Sequence, residues 1–264
     1  MRGLALQVAG RLLNRVRVNR VEAATRDGRP VLVKRRRRGA PIVVWLENLF
    51  FALTHSGTRM CARVGEWTQW EVHCGRLLYP DQPPVTVGPG PVVTLPRVEG
   101  TSLRTLVYRG DPEVRHALVL AAGELRRVHG IYCNRYRAAW SHGDLHLDNI
   151  LCDVSRNRAV LIDFDIRHEF TMDSVHRQAD DVLMVLLELL GLPDERWQEW
   201  AAAFAWAYGG GPVLSEVSRC LVPPTGLRTV LWSIRTHGAP MQRLEPRLAV
   251  LQRIIQTLVH PCPP

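Results

Sequence analysis

The chain has 264 residues, of which 46% are hydrophobic and 22% charged; this supports a buried core and excludes a disordered, collagen-like or coiled-coil protein. The formal net charge is +9, and the excess sits in residues 1–40, where twelve basic residues face only Glu22 and Asp27. The remainder is close to neutral, which favours a neutral body with one basic face over a uniformly basic nucleic-acid binder.

Residues 1–14 set Leu4, Val8 and Leu12 at helical spacing and predict a short cationic helix. Arg11 and Arg15 interrupt its apolar run and count against a secretory signal. Over 15–24, Val16, Val18 and Val21 are broken by Arg17, Asn19 and Arg20, a strand pattern. Asp27-Gly28 is a hairpin turn signal, and 30–34 is the return strand, so Lys34 ends an antiparallel hairpin. Arg35, Arg36, Arg37 and Arg38 follow, then an apolar stretch over 42–53. With Pro41 this stretch is the most apolar of the chain, but it carries Glu47 and Asn48 and is too short to span a bilayer. Residues 63–78 predict a helix, with Trp67, Trp70, Glu71, Cys74 and Leu78 spaced by three and four. The Pro/Gly-rich segment 80–91 reads as a loop, 92–95 as a short strand, and Val98-Glu99-Gly100 as a linker.

The second half is mainly helical. Over 112–130, Val114, Ala117, Leu118, Ala121, Leu125 and Val128 make one stripe, and Gly130 stops the helix. Residues 138–144 are a loop; 149–152 and 160–162 are short strands around the turn Ser155-Arg156-Asn157. The segment 179–190 is apolar nearly all round and predicts a buried helix. Further helices are expected over 197–208, 227–236 and 246–259. Six cysteines without a C-x-x-C pair favour free thiols in a reducing, cytoplasmic compartment over a disulfide framework or a zinc site.

One segment is rich in chemistry: Ser141-His142-Gly143-Asp144-Leu145-His146-Leu147-Asp148-Asn149, followed later by Leu161-Ile162-Asp163-Phe164-Asp165. Phosphoryl transfer needs a carboxylate beside the acceptor hydroxyl and oxygen ligands that hold Mg²⁺ against the phosphates. Asp144 would orient and deprotonate the hydroxyl, while Asn149 and Asp163 would bind the metal. Lys34 is the single lysine among 34 Lys and Arg residues, on a strand that ends Val31-Leu32-Val33-Lys34. Lysine supplies a compact point charge where arginine supplies a planar fork.

These segments resemble the protein-kinase-like superfamily: Asp144 to Asn149 its catalytic loop, Ile162-Asp163-Phe164 its D-F-G segment, and Val31 to Lys34 its lysine strand. The resemblance implies an α+β, bilobal fold, with a small antiparallel β-sheet lobe over 1–98 and a mainly helical lobe over 99–264. It implies ATP and Mg²⁺ as cofactors, and a helical Glu paired with Lys34. Glu71 fits that role best and Glu66 is the alternative. Val98 to Leu103 resembles the hinge of small kinase-like phosphotransferases, so Glu99 lies where the nucleotide is met. Of Asp180 and Asp181 at the head of the buried helix, Asp181 is expected to prop the catalytic loop, a simple helix N-terminal acid being the other reading. The sequence departs from the family in three ways: no G-x-G-x-x-G precedes Lys34, Asp165 replaces the glycine of D-F-G, and no A-P-E motif follows.

Within the superfamily, His142-Gly143-Asp144-Leu145 and Leu161 to Asp165 resemble the lipopolysaccharide-core sugar kinases, notably the Kdo kinase family, although His142-Gly143-Asp144 is shared with aminoglycoside and choline kinase-like enzymes. This implies a sugar or lipid-linked sugar as acceptor; a protein hydroxyl, and a pseudokinase that only binds, are the alternatives. A monomer is expected. The four arginines beside Pro41 to Leu46 and Leu49 to Phe51 would suit the anionic inner face of the cytoplasmic membrane. A solvated basic edge and a core helix are the alternative readings. No aromatic-rich face accompanies the arginines, which counts against nucleic acid.

Overall fold

The computed structural model describes residues 18–260; the helix expected over 1–14 and the start of the first strand lie outside them. The described residues are mixed α and β, 51% helical and 18% strand, with small antiparallel sheets. They divide into two compact units. One ends at Glu99 and takes in Asp163–Glu169; the other comprises Gly100–Ile162 and the chain from Phe170 onward.

The first unit is built on a hairpin, Asn19–Arg26 against Arg29–Arg36, with Val21 opposite Lys34. Both turn residues lie in the left-handed region, Asp27 at φ 49° and Gly28 at φ 74°. That is the geometry a two-residue hairpin loop needs and Asp-Gly readily supplies. The second strand also pairs with Val92–Pro96, Lys34 lying opposite Val93, so Lys34 sits on an interior strand. Side chains alternate along it: Lys34 and Arg36 are buried and Arg35 is exposed.

The segment 80–91 is not wholly a loop. Thr86–Val87 pairs with Val93 and Thr94 as a short edge strand. Two residues among prolines and glycines carry no periodicity, and only the neighbouring strand makes them regular. Two helices, Ala40–Thr54 and Val64–Leu78, lie in the chain between the hairpin and this edge strand. Between them Thr58–Met60 pairs with Ile166–His168, Met60 opposite Ile166. This small ladder fixes the strand just after Asp163-Phe164-Asp165.

In the second unit, Ile150–Asp153 and Arg158–Leu161 form a hairpin, and Thr101–Ser102 adds a third strand beside Cys152 and Leu151. Gly100 lies so close to this sheet that a Cβ there would meet the Cys152 carbonyl at 3.1 Å, at φ 144°; a larger residue would be strained in its backbone and tight against that carbonyl. Ala138–Ala139, expected in a loop, pairs with Tyr132–Cys133. The long helices are Val114–His129, Ser174–Gly191, Trp197–Tyr208 and Met241–Val259. The last begins before Pro246, which lies inside it rather than at its start. Leu103–Arg109 and Pro212–Cys220 are helices that the apolar pattern did not single out.

Ser174–Gly191 is capped by the Asp173 carboxylate, which accepts from Val175 N–H at 2.8 Å, and nearly its whole length from Arg177 on is buried. Among the described residues the cysteines are free, and burial pushes the Cys61 thiol up to about 11 and Cys152 to about 12. No helix among the described residues is long and apolar enough to cross a membrane.

Candidate functional site

The first unit gathers Lys34, Glu71, Asp163 and Asp165 from three separate stretches of chain. Lys34 is 4% exposed, and its Nζ lies 2.5 Å from Glu71 Oε1, 2.5 Å from Asp163 Oδ1 and 3.0 Å from Asp165 Oδ1. Burial alone would depress this ammonium. The charges of Asp163, Asp165 and Glu71 outweigh it and hold Lys34 well above its usual range. Glu71 comes from the Val64–Leu78 helix and is fully buried, and its Oε2 has no hydrogen-bond partner among the described residues. Glu66, on the same helix, pairs instead with Arg167 at 2.8 Å.

Asp165 takes the place of a glycine in the resembled motif, and the structure gives it partners. Asn19 Nδ2 and Trp67 Nε1 both donate to its carboxylate. Burial, set against the pull of Lys34 and reinforced by Asp163 and Glu71, pushes its carboxyl up to about 8. No periodicity in the sequence pointed to this role. The signal available was the second Asp itself, directly after the buried Phe164. Asp163 stands at φ 66°, a region that Asp and Asn tolerate better than most side chains. Its side chain is 45% exposed, so of the three carboxylates it is the one most open to a ligand.

Three carboxylates lie within 4.8 Å of one another around one ammonium. The carboxyl of Asp165, pushed up to about 8, keeps its proton near neutral pH, so the acids outnumber the ammonium by less than the count of groups suggests. An oxygen-only donor set, an orphaned buried oxygen on Glu71 and an accessible Asp163 fit a hard divalent cation such as Mg²⁺.

The second unit holds the loop with Asp144 and Asn149. Asp181 organises its start: its carboxylate accepts His142 N–H at 2.7 Å and Gly143 N–H at 2.8 Å, and His129 Nε2 lies 3.1 Å away. The His142 ring is fixed at both nitrogens. Nε2 donates to the Ile162 carbonyl at 3.0 Å, and Nδ1 accepts Asp144 N–H at 3.2 Å. Asn149 Nδ2 donates to the Asp144 carbonyl at 2.8 Å, which leaves its Oδ1 to serve as a ligand oxygen. Asp144 keeps a partly exposed carboxylate 3.6 Å from His146 Nε2. Ile162 N–H donates to the Asn149 carbonyl at 3.0 Å, and the chain passes from Ile162 directly into Asp163.

The end of the loop is held by a residue the sequence reading passed over. Glu188, 3% exposed, accepts Leu147 N–H at 3.1 Å. Arg104 bridges Glu188 at 3.2 Å and Asp148 at 2.5 Å. Asp181 and Glu188 are two turns apart on one helix and so share a face. The available signal was a lone acid in the apolar run Val182 to Leu190, which cannot be buried without partners.

Lys34, Glu71 and Asp163 thus meet in one unit, and Asp144 and Asn149 in the other. Glu99 is exposed, with its carboxylate 3.8 Å from Arg97. Asp180 pairs with Arg235 at 2.8 Å, away from the loop contacts made by Asp181. The chain matches no protein-family model and no curated protein sequence.

Proposed function

We propose that the chain is an ATP-dependent phosphotransferase of the protein-kinase-like superfamily, on a bilobal kinase-like fold, acting on a hydroxyl of a sugar or lipid-linked sugar such as lipopolysaccharide core. The observation that carries this reading is the environment of Lys34. The only lysine of the chain is buried, and its ammonium is clasped by Glu71 and Asp163. A buried ammonium with surplus carboxylates has little structural merit by itself, but it suits a site that receives phosphates and a divalent cation.

In this reading Lys34, oriented by Glu71, donates to the nucleotide phosphates. Asp163 in one unit and Asn149 in the other would each offer an oxygen suited to Mg²⁺. Bound Mg²⁺-ATP supplies the transferable phosphoryl group and offsets the charge that develops on it. Asp144 accepts the proton of the acceptor hydroxyl at its carboxylate, and Asp181 and Glu188 hold the loop that presents it. Glu99 marks the segment whose backbone meets the adenine. The same reading puts the protein in the cytoplasm, where ATP is supplied.

A second reading, a pseudokinase that binds without turnover, draws on the tight Asp27-Gly28 turn, which leaves no glycine-rich loop in the hairpin. Purified protein with labelled ATP and Mg²⁺, offered core oligosaccharide lipid, a protein substrate and an aminoglycoside in parallel, separates the two. Label in the oligosaccharide lipid is the expected result. Binding of ATP with no transfer to any acceptor favours the pseudokinase.

A further inference from the structure

The helix Ala40–Thr54 is apolar on opposite faces. Its inward face carries the buried Ala40 and Val44, packed with Val18, Met60, Val43 and Ile166. The other face carries Ile42, Trp45, Leu46, Leu49 and Leu53, a spacing of i, i+3, i+4, i+7 and i+11 that makes a single stripe. All five are exposed, Ile42 at 69% and Trp45 at 63%. An ordinary surface helix turns polar and charged side chains to water along that stripe. Here Glu47 and Asn48 lie off it and are half-buried, Asn48 bonding the Met60 backbone through both N–H and C=O.

Arginines stand at the N-terminal end of this helix, but not all four. Arg36 points inward, donates to the Cys61 carbonyl at 2.7 Å and lies 4.7 Å over the Trp67 ring. Arg35, Arg37 and Arg38 are exposed, and the first turn of the helix holds no acid to neutralise them.

We propose that this stripe, with Arg35, Arg37 and Arg38, is a docking surface for an anionic membrane. The helix lies in the plane of the interface, with its five outward apolar side chains at the headgroup–acyl boundary and the arginines on lipid phosphates. Charge chooses the occupant. A second copy of the chain would present the same arginines and the same acid-free stripe, with nothing to receive the positive charge. A bilayer with anionic headgroups offers negative charge directly above an apolar layer, and Trp45 suits that boundary, as an amphipathic ring. Neither signal is strong alone; together they make a reversible anchor. The inference stands apart from the phosphotransfer reading, because binding is measured without nucleotide.

The test is flotation of the 264-residue chain with phosphatidylcholine vesicles, with and without phosphatidylglycerol, at low and high salt. The wild type is expected to float with the anionic vesicles and to be released by salt. Trp45→Glu with Leu49→Glu should weaken binding at least about 10-fold while thermal unfolding stays unchanged, since both side chains face water. Arg37→Gln with Arg38→Gln should cost about 5-fold per arginine on anionic vesicles and nothing on neutral ones. Three outcomes overturn the proposal: no flotation of the wild type, equal flotation of the Trp45/Leu49 variant, or a wild-type dimer that this variant splits.

Discussion

The Lys34 cluster and the Asp144 loop are both polar, yet they are stabilised in opposite ways. The loop is largely satisfied, His146 Nδ1 being its one buried polar atom with no hydrogen-bond partner among the described residues. Its N–H groups at His142, Gly143 and Leu147 end on buried carboxylates of one helix, and the Asn149 amide and His142 ring bond within the loop or to the carbonyl of Ile162, the residue after the Arg158–Leu161 strand. The cluster is assembled from residues far apart in sequence and is out of balance, three carboxylates against one ammonium. A balanced loop is rigid before any ligand arrives. An unbalanced cluster is poised to gain from one, because a cation lowers the mutual repulsion of its acids. The loop holds the Asp144 backbone in place, while the Lys34 cluster stands to gain from added positive charge.

The largest effects should come from removing the one chemically distinct group in each region. Asp144→Ala should lower turnover 10²–10⁴-fold, the usual loss for a positioned base, with nucleotide binding and thermal stability close to wild type. Single-turnover kinetics beside a nucleotide titration checks both halves. Lys34→Arg should also lower turnover by orders of magnitude. The slot between Glu71 and Asp163 is sized for a compact ammonium, and the planar fork of arginine carries the same charge in a different shape. Full activity in Lys34→Arg would mean that the cluster only conserves charge, and would remove the observation on which the phosphotransfer reading rests.

A smaller contrast lies within the cluster. Asp163→Asn keeps a side chain that tolerates the left-handed backbone at this position, so it isolates the loss of charge. It should weaken Mg²⁺-dependent nucleotide binding about 10-fold or more. Asp165→Asn should do so much less, because Asp165 is already engaged by Asn19 and Trp67 and its carboxyl is pushed up to about 8. Isothermal titration of both variants with and without Mg²⁺ decides the order; a stronger effect at Asp165 would reverse their roles.

Asp144, Asn149 and Asp163 stood out as polar residues closely spaced within two short stretches, and Lys34 because it is the only lysine of the chain. The hairpin was legible from Asp27-Gly28 and its flanking alternation. Other features depend on partners distant in sequence. Thr86–Val87 is a strand only because Val93 and Thr94 lie beside it. The choice between Glu71 and Glu66 is one of helix face, which spacing leaves ambiguous until Arg167 is seen to take Glu66. Asp165 read as a departure from a motif because its donors, Asn19 and Trp67, are 146 and 98 residues away. Arg36 read as one of four equivalent arginines, although strand alternation turns it inward.

The finest test concerns Glu188, which links the loop to its helix. Burial alone would raise its carboxyl, but the nearby His237 and the charges of Arg104 and His146 outweigh burial and hold it below the usual carboxylate range. A carboxyl lowered on folding is protonated more readily in the unfolded chain. Its stabilisation is therefore complete above the unfolded value of about 4.3 and is lost as pH falls through the lower folded value. Glu188→Gln keeps an acceptor for Leu147 N–H but removes the charge that faces Arg104. Hydrogen bonds to charged groups are worth about 1.5–3 kcal/mol, which at this chain length corresponds to a fall of several degrees in Tm at neutral pH. The gap between wild type and Glu188→Gln should narrow as pH is lowered below about 4, because the wild type then loses the same charge. Thermal melts across the acid range measure it. A gap that stays constant with pH would assign Glu188 a role in packing alone, and the loop would then owe its order to Asp181.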